Sequence, residues 1–302
     1  MSQPRSGRVV GLGLCVIDHL YLVERDAPGE VRTRYVACQV APGGMIATAL
    51  AQAAQLGADA HVLSLVGDDA DGRAVRRRLR SLGVNTRRLL LSRRLPTTVA
   101  VVIVDRRTGA RRFVVPDRRA LERRAPAFDL TPIRRGAVLL VDGHFPAQAL
   151  RAARRAREVG ALVVADFHRP SPAALSLLPL VDFAVVPREF AQAWNRGRVA
   201  GTLARIRDEY GATPVVTLGA QGGVWLEGGR VRRYRARRVR VVDSTGAGDV
   251  FHGAFAAGIA QGLSLERSLE RASRAAALAC TALGGMSRLL REPPPRRKVR
   301  RR

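Results

Sequence analysis

Runs of residues that are apolar along their whole length recur through this chain, separated by segments of helical pattern. RVVGLGLCVI, AHVLSLVG, AVLLVDG, ALVVADF, DFAVVP and TPVVTLG are such runs. A strand that is apolar on both faces must be covered on both faces. That is the condition of a parallel sheet held between two helical layers. The intervening segments supply those layers. MIATALAQAAQLG, GRAVRRRLRSLG, ALRAARRAREVG and LARIRDEYG read as helices, and GDVFHGAFAAGIAQG and SLERSLERASRAAALACTALGG as two long ones in the last third. Gly57 and Gly83 close the first two, where glycine takes the left-handed backbone of a helix end. The fold class is α/β: a three-layer α/β/α domain with a mostly parallel central sheet.

Two stretches break the rhythm. Residues 20–40 and 97–115 alternate apolar and polar positions and carry turn signals at Pro28-Gly29 and Thr108-Gly109. They read as one-face-exposed strands of a small antiparallel β lid. With 302 residues, the chain is expected to form one domain over 1–290 that contains both lid segments. Residues 291–302 are Pro-rich, then basic, and read as a disordered arm. No apolar run reaches the roughly 20 residues of a membrane helix. The start of the chain lacks the features of a signal peptide. Cys15, Cys38 and Cys280 are scattered and odd in number, as in a reduced, cytoplasmic protein.

The formal net charge is +27, carried by arginine; Lys298 is the single lysine. Such a charge attracts polyanions at long range. The arginines, however, fall on helix faces (Arg76, Arg77, Arg78 and Arg80; Arg151, Arg154, Arg155 and Arg157) and are not interleaved with aromatics, which make up 5% of the chain. The pattern is that of arginine replacing lysine over a whole surface. It weighs against a nucleic-acid partner.

The sharpest chemical signal is Val241-Val242-Asp243-Ser244-Thr245-Gly246-Ala247-Gly248-Asp249-Val250-Phe251. A β-branched run passes through small residues into an Ala-rich helix. Gly246 and Gly248 allow a tight turn that exposes backbone N–H groups at a helix N-terminus, a cradle for phosphate oxygens. Asp249, in the first helical turn, suits a general base rather than a phosphate ligand, since like charges repel. On the residues alone, the same run is equally a plain N-cap aspartate on a Gly-rich turn.

Asp243 to Asp249 resembles the second signature of the ribokinase-like (PfkB) carbohydrate kinases, D-T-x-G-A-G-D, with Ser244 in a tolerated place. The resemblance implies an anion hole from the backbone of Gly246, Ala247 and Gly248, and Asp249 as the base acting on a sugar hydroxyl. Pro42-Gly43-Gly44-Met45-Ile46-Ala47-Thr48-Ala49, with Val66-Gly67-Asp68-Asp69-Ala70-Asp71-Gly72 further on, is similar to the first signature. It implies a sugar site at Gly43, Gly44 and Thr48; a helix N-terminal turn without a ligand is the alternative on the residues alone. The family commonly has Asn where Thr48 stands, and Thr offers one hydroxyl in place of an amide. The form of both motifs is most similar to the sulfofructose kinase and ketohexokinase-like branch. Asp18, read at the C-terminal end of the first strand, is carried over as a sugar ligand; a turn-capping role is its alternative.

Thr217-Leu218-Gly219-Ala220-Gln221-Gly222 resembles the family's strand–loop under the nucleotide, which puts Thr217, Gly219 and Gly222 beside ATP; taken alone it is an ordinary hairpin turn. Residues near Cys280 are expected to wall the adenine pocket. His144, after Asp142, is a candidate sugar contact, and Arg169, after Asp166, a candidate phosphate contact, each with a surface-loop alternative. The family's N-x-x-E motif is degraded at Pro187-Arg188-Glu189, so Mg²⁺ is expected to rest on ATP phosphates and water. Asp243 and Thr245 are expected to border a monovalent-cation site for K⁺. Arg32, Arg34, Arg111 and Arg112 of the lid are candidates for an anionic group on the acceptor. The resemblance thus implies ATP-dependent phosphorylation of a sugar or sugar derivative, with Mg²⁺; the exposed lid strands can pair with a second copy, so a homodimer is expected. Two competing readings remain: a nucleoside kinase of the same fold, and a non-catalytic relative that binds a polyanion through its arginines.

Overall fold

The structure, a computed structural model, describes residues 7–291. The basic tail expected over 291–302 lies outside the described residues but for Arg291. The chain begins with β1 (Arg8–Leu12), β2 (Val16–Val23), β3 (Tyr35–Gly43), α1 (Met45–Gln55), β4 (Asp59–Gly67) and α2 (Ala70–Ser81). It continues with β5 (Leu89–Ser92), β6 (Val99–Asp105), β7 (Arg111–Val114), α3 (Arg119–Arg124), β8 (Val138–Val141) and α4 (Pro146–Val159). Then come β9 (Leu162–Asp166), α5 (Pro172–Leu177), β10 (Phe183–Pro187), α6 (Arg188–Asn195), α7 (Val199–Tyr210) and β11 (Thr213–Thr217). β12 (Gly223–Glu227), β13 (Arg230–Tyr234), α8 (Ala247–Ala260) and α9 (Leu265–Ala279) complete it.

The main sheet has the order β13-β12-β11-β10-β9-β8-β1-β4-β5. All its pairs are parallel except those of β12 and β13. The two-sided apolar runs divide their side chains between two cores, as the period of two demands. Val9, Leu140, Val164, Val185 and Val215 face α1, α2, α8 and α9, while Val10, Leu139, Val163, Val186 and Val216 face α4 to α7. The expected three layers follow. Between α1 and α8 the packing is tightest at Gly253, where a Cβ would sit 1.9 Å from the Ala49 carbonyl oxygen.

The second sheet, β3-β2-β6-β7, is the expected lid. Its outer pairs, β2–β3 and β6–β7, are antiparallel hairpins, but its central pair, β2–β6, is parallel. RVVGLGLCVI is not one strand. It leaves the main sheet after Leu12, where the Leu14 N–H donates to Asp142 Oδ2 (2.7 Å) and Ser64 Oγ donates to the Gly13 carbonyl (2.6 Å). It restarts at Val16 as the first lid strand. The last helix also stops early, at Ala279, and the chain from Cys280 turns back under the Gly246 segment.

Candidate active site

The segment 243–249 follows β13 and runs into the first turn of α8, and four hydrogen bonds fix its path. The buried Asp243 accepts the N–H and hydroxyl of Thr245 on Oδ1 (2.8 and 2.7 Å) and the Gly284 N–H on Oδ2 (2.9 Å). The Val242 N–H donates to the Cys280 carbonyl (2.8 Å). Gly246 adopts φ 73°, and a Cβ there would meet Gly285 Cα at 2.7 Å. A side chain at 246 would suffer both strain and collision. Asp243 is thus a clamp that ties the turn to residues 280–287.

α8 starts at Ala247. The Ala247 N–H is drawn back to the Ser244 carbonyl (3.2 Å) and the Val250 N–H to that of Gly246 (2.8 Å). Among the described residues, the N–H groups of Gly248 and Asp249 have no such partner, as the first turn of a helix leaves them. They stand at the positive end of the helix dipole, which makes this an anion-binding turn.

Asp249 sits within a group of acids. Burial first, and the neighbouring acid Asp166 second, push its carboxyl up to about 8. Asp18 is pushed up to about 6, by burial first and by Asp243 second. Its position differs from expectation: it lies inside lid strand β2, opposite Ala41, not at the end of β1. It still meets the predicted sugar site, because Gly43 leaves room for it; a Cβ there would be 1.7 Å from Asp18 Oδ2. Gly44, at φ 97°, opens α1, and the methyl of the buried Thr48 packs against the Gly246–Gly285 contact. Asp18 also lines a cavity of about 160 Å³ shared with Gln39, Pro42, Arg78, Gly284 and Met286.

His144 does lie after β8, but its ring is held by Glu122 (Nδ1 to Oε1, 2.8 Å) and Arg118 (3.2 Å). Burial lowers its basicity, and Asp142 and Glu122 outweigh that, so the net shift is upward. Asp142 is a brace: it accepts the N–H groups of Leu14 and His144 (2.7 and 2.9 Å). Arg169 is exposed after β9.

On the other side of the turn, Thr217 to Gly222 forms a hairpin between β11 and β12, with a short turn at Gly219–Gln221. Arg188, at the start of α6, donates to Gln221 Oε1 of that hairpin. Among the four lid arginines, Arg111 reaches the 243–249 segment, donating to the Ser244 carbonyl (2.7 Å). Arg112 instead holds Asp26 with two bonds (2.8 and 3.0 Å), and Arg32 and Arg34 are exposed. The cation that lines the cavity is Arg78, anchored to the Met286 carbonyl (3.0 Å).

Sequence reading missed the contact of His252 with Asp166 (3.2 Å) beneath Asp249. One signal was available: His252 follows Asp249 by three residues on one helix, so both lie on one face. No group of three or more acidic, histidine or cysteine side chains able to hold a metal occurs among the described residues.

A family model for pfkB family carbohydrate kinases matches residues 6–291. The chain is 28% identical to the aminoimidazole riboside kinase of Salmonella typhimurium over 286 residues, 87% of this chain and 88% of that one. A 35% identity with the ribokinase of Lactococcus lactis is confined to 127 residues, 40% of this chain and 42% of that protein. Its fold superposes on an Agrobacterium tumefaciens protein of ribokinase type with a TM-score of 0.86 at 27% identity, covering 95% of both chains. The free N–H groups of the 246–249 turn, the carboxylate beside them and these matches agree: the chain belongs to the pfkB family of carbohydrate kinases and is a sugar-kinase phosphotransferase.

Proposed function

We propose that the protein transfers the γ-phosphoryl group of ATP to a hydroxyl of a sugar or sugar derivative, with Asp249 as general base. The observation that carries this is the place of the Asp249 carboxylate in the first turn of α8, beside the unpartnered N–H donors of Gly248 and Asp249; burial raises its affinity for a proton. The acceptor sits between Asp18, Gly43, Gly44 and Thr48, with Asp18 accepting its hydroxyls and His144 at the rim. Asp249 takes the proton of the attacking hydroxyl. The N–H groups of Gly248 and Asp249 receive the charge that spreads over the transferred phosphoryl. ATP lies along Thr217, Gly219 and Gly222, with Arg188 beside it through Gln221.

The donor set fits Mg²⁺ carried on ATP phosphates and water rather than a protein cage, and the ion would supply charge neutralisation there. Asp243 has both oxygens occupied by donors, so K⁺ near Asp243 and Thr245 would be held mainly by backbone carbonyls. If the acceptor carries an anionic group, Arg78 is better placed to meet it than the lid arginines. The exposed lid residues Tyr35, Val40, Phe113 and Val114 support a homodimer through the lid. The three free cysteines fit a reducing cytoplasm.

The test is acceptor-dependent ADP release from Mg-ATP over ketoses, aldoses, their 6-phosphates and 6-sulfonates, and ribosides. D249N is expected to fold and to lose at least ~10²-fold in kcat. A D249N variant that turns over like the parent sinks the assignment. A riboside as best acceptor moves it to the nucleoside-kinase reading.

A further inference from the structure

His252 is 4% exposed on α8 and Asp166 is 5% exposed at the end of β9. The ring Nε2 lies 3.0 Å from the Val185 carbonyl oxygen of β10. Nδ1 lies 2.7 Å from the Gly248 carbonyl oxygen and 3.2 Å from Asp166 Oδ2. Carbonyls and carboxylates only accept, and a neutral imidazole has a single N–H. With that N–H on Val185, Nδ1 would turn a bare lone pair toward two acceptors. One further proton closes both contacts when it sits on Nδ1, and closes the Asp166 contact alone when it sits on Asp166. Either placement leaves the pair with no net charge.

What that charge faces makes it matter. Asp249 lies one turn earlier on α8. Asp142 after β8 and Asp18 of β2 also bear on it, Arg111 of β7 is bonded to the same turn, and His168 after β9, with Glu189 and Arg169 around it, faces His252. Among these, Asp166 bears most on Asp249. The Gly248 carbonyl belongs to the same rigid peptide as the Asp249 N–H, one of the free donors of the turn. A bond from His252 to that carbonyl therefore also orients the donor.

We propose that His252 and Asp166 hold one shared proton beneath the catalytic turn, and that His252 is thereby a positioning residue that keeps the Asp166 carboxylate neutralised beside Asp249. The proton stays with the pair through turnover; Asp249 alone takes the proton of the acceptor and releases it to solvent. The role rests on the kinase reading of Asp249.

Two measurements test it. The first is independent of activity: NMR of the free protein should show a downfield, exchange-protected proton that disappears in both H252Q and D166N. Its absence from the parent protein across pH 6–9 overturns the shared proton, whether or not an acceptor is ever found. The second is the pH profile of kcat/KM. In H252Q a donor for Val185 survives but the titratable proton does not. Burial favours a protonated Asp166; where it ionises in H252Q, no imidazolium offsets its charge, which keeps Asp249 protonated to higher pH, so the acid limb should move up by about one pH unit. D166N should leave the limb near its parent position, and the double variant H252Q/D166N should bring it back. An unmoved limb in H252Q, or a shift that persists in the double variant, overturns the role. A uniform loss of kcat with an unchanged limb marks His252 as packing only.

Discussion

Asp18 is held near 6 by burial and by Asp243, whereas an ordinary aspartate titrates well below that. The sign of two effects follows. In the folded protein the carboxyl binds its proton more tightly than in the unfolded chain, so ionising it works against folding as pH rises from about 4 through 6. In the proposed function the ionised form is also the one that would accept acceptor hydroxyls. D18N should therefore melt at higher temperature than the parent at pH 7.5 while binding the acceptor more weakly, the opposition expected where function holds a residue in a costly state. In the parent, the acceptor KM should climb as pH falls below about 6, at lower pH than the Asp249 limb of the kcat/KM profile. Thermal melts and a KM–pH series check both; a D18N protein that melts lower and binds equally well contradicts them.

At the scale of elements, Arg111 of β7 fastens the lid to the proposed catalytic turn by donating to the Ser244 carbonyl. A charge-assisted bond of this kind, once lost, is expected to reduce kcat/KM about tenfold in R111Q. A lid that closes poorly also admits water, so ADP release without acceptor should rise relative to acceptor-dependent turnover. If that background is unchanged, the bond is not part of closure. How much of this was legible beforehand varied with its physical origin. The parallel sheet was, because runs such as Val138–Val141 and Leu162–Asp166 need cover on both faces. The glycine signatures were, because the turn at Gly246 depends on local backbone chemistry. The break at Gly13, the parallel β2–β6 pair and the early end of α9 were not. Each is decided by distant partners: Asp142 and Ser64 for the first, lid pairing for the second, and the Asp243–Gly284 clamp for the third. The same holds for Asp166 and His252, far apart in the chain and joined only by the order of strands in the sheet.

At the scale of the whole molecule, a net charge of +27 must be reconciled with self-association. The lid exposes Val40 at 59%, Phe113 at 52% and Val114 at 53% along its two edge strands, apolar surface a second copy would cover. Two like-charged copies repel, and salt screens that repulsion over about 10 Å at 0.1 M while leaving apolar contact in force. The homodimer should therefore tighten as ionic strength rises from about 0.05 to 0.3 M. A polyanion held by the arginines behaves in the opposite way, since releasing counterions becomes less favourable with added salt. Sedimentation across this salt range, with the parent and V40E/F113E, separates the two. A dimer strengthened by salt and abolished in the double variant supports lid pairing. A protein that stays monomeric throughout, yet binds heparin steeply at low salt, would leave the lid unpaired and make the arginine surface the site of association.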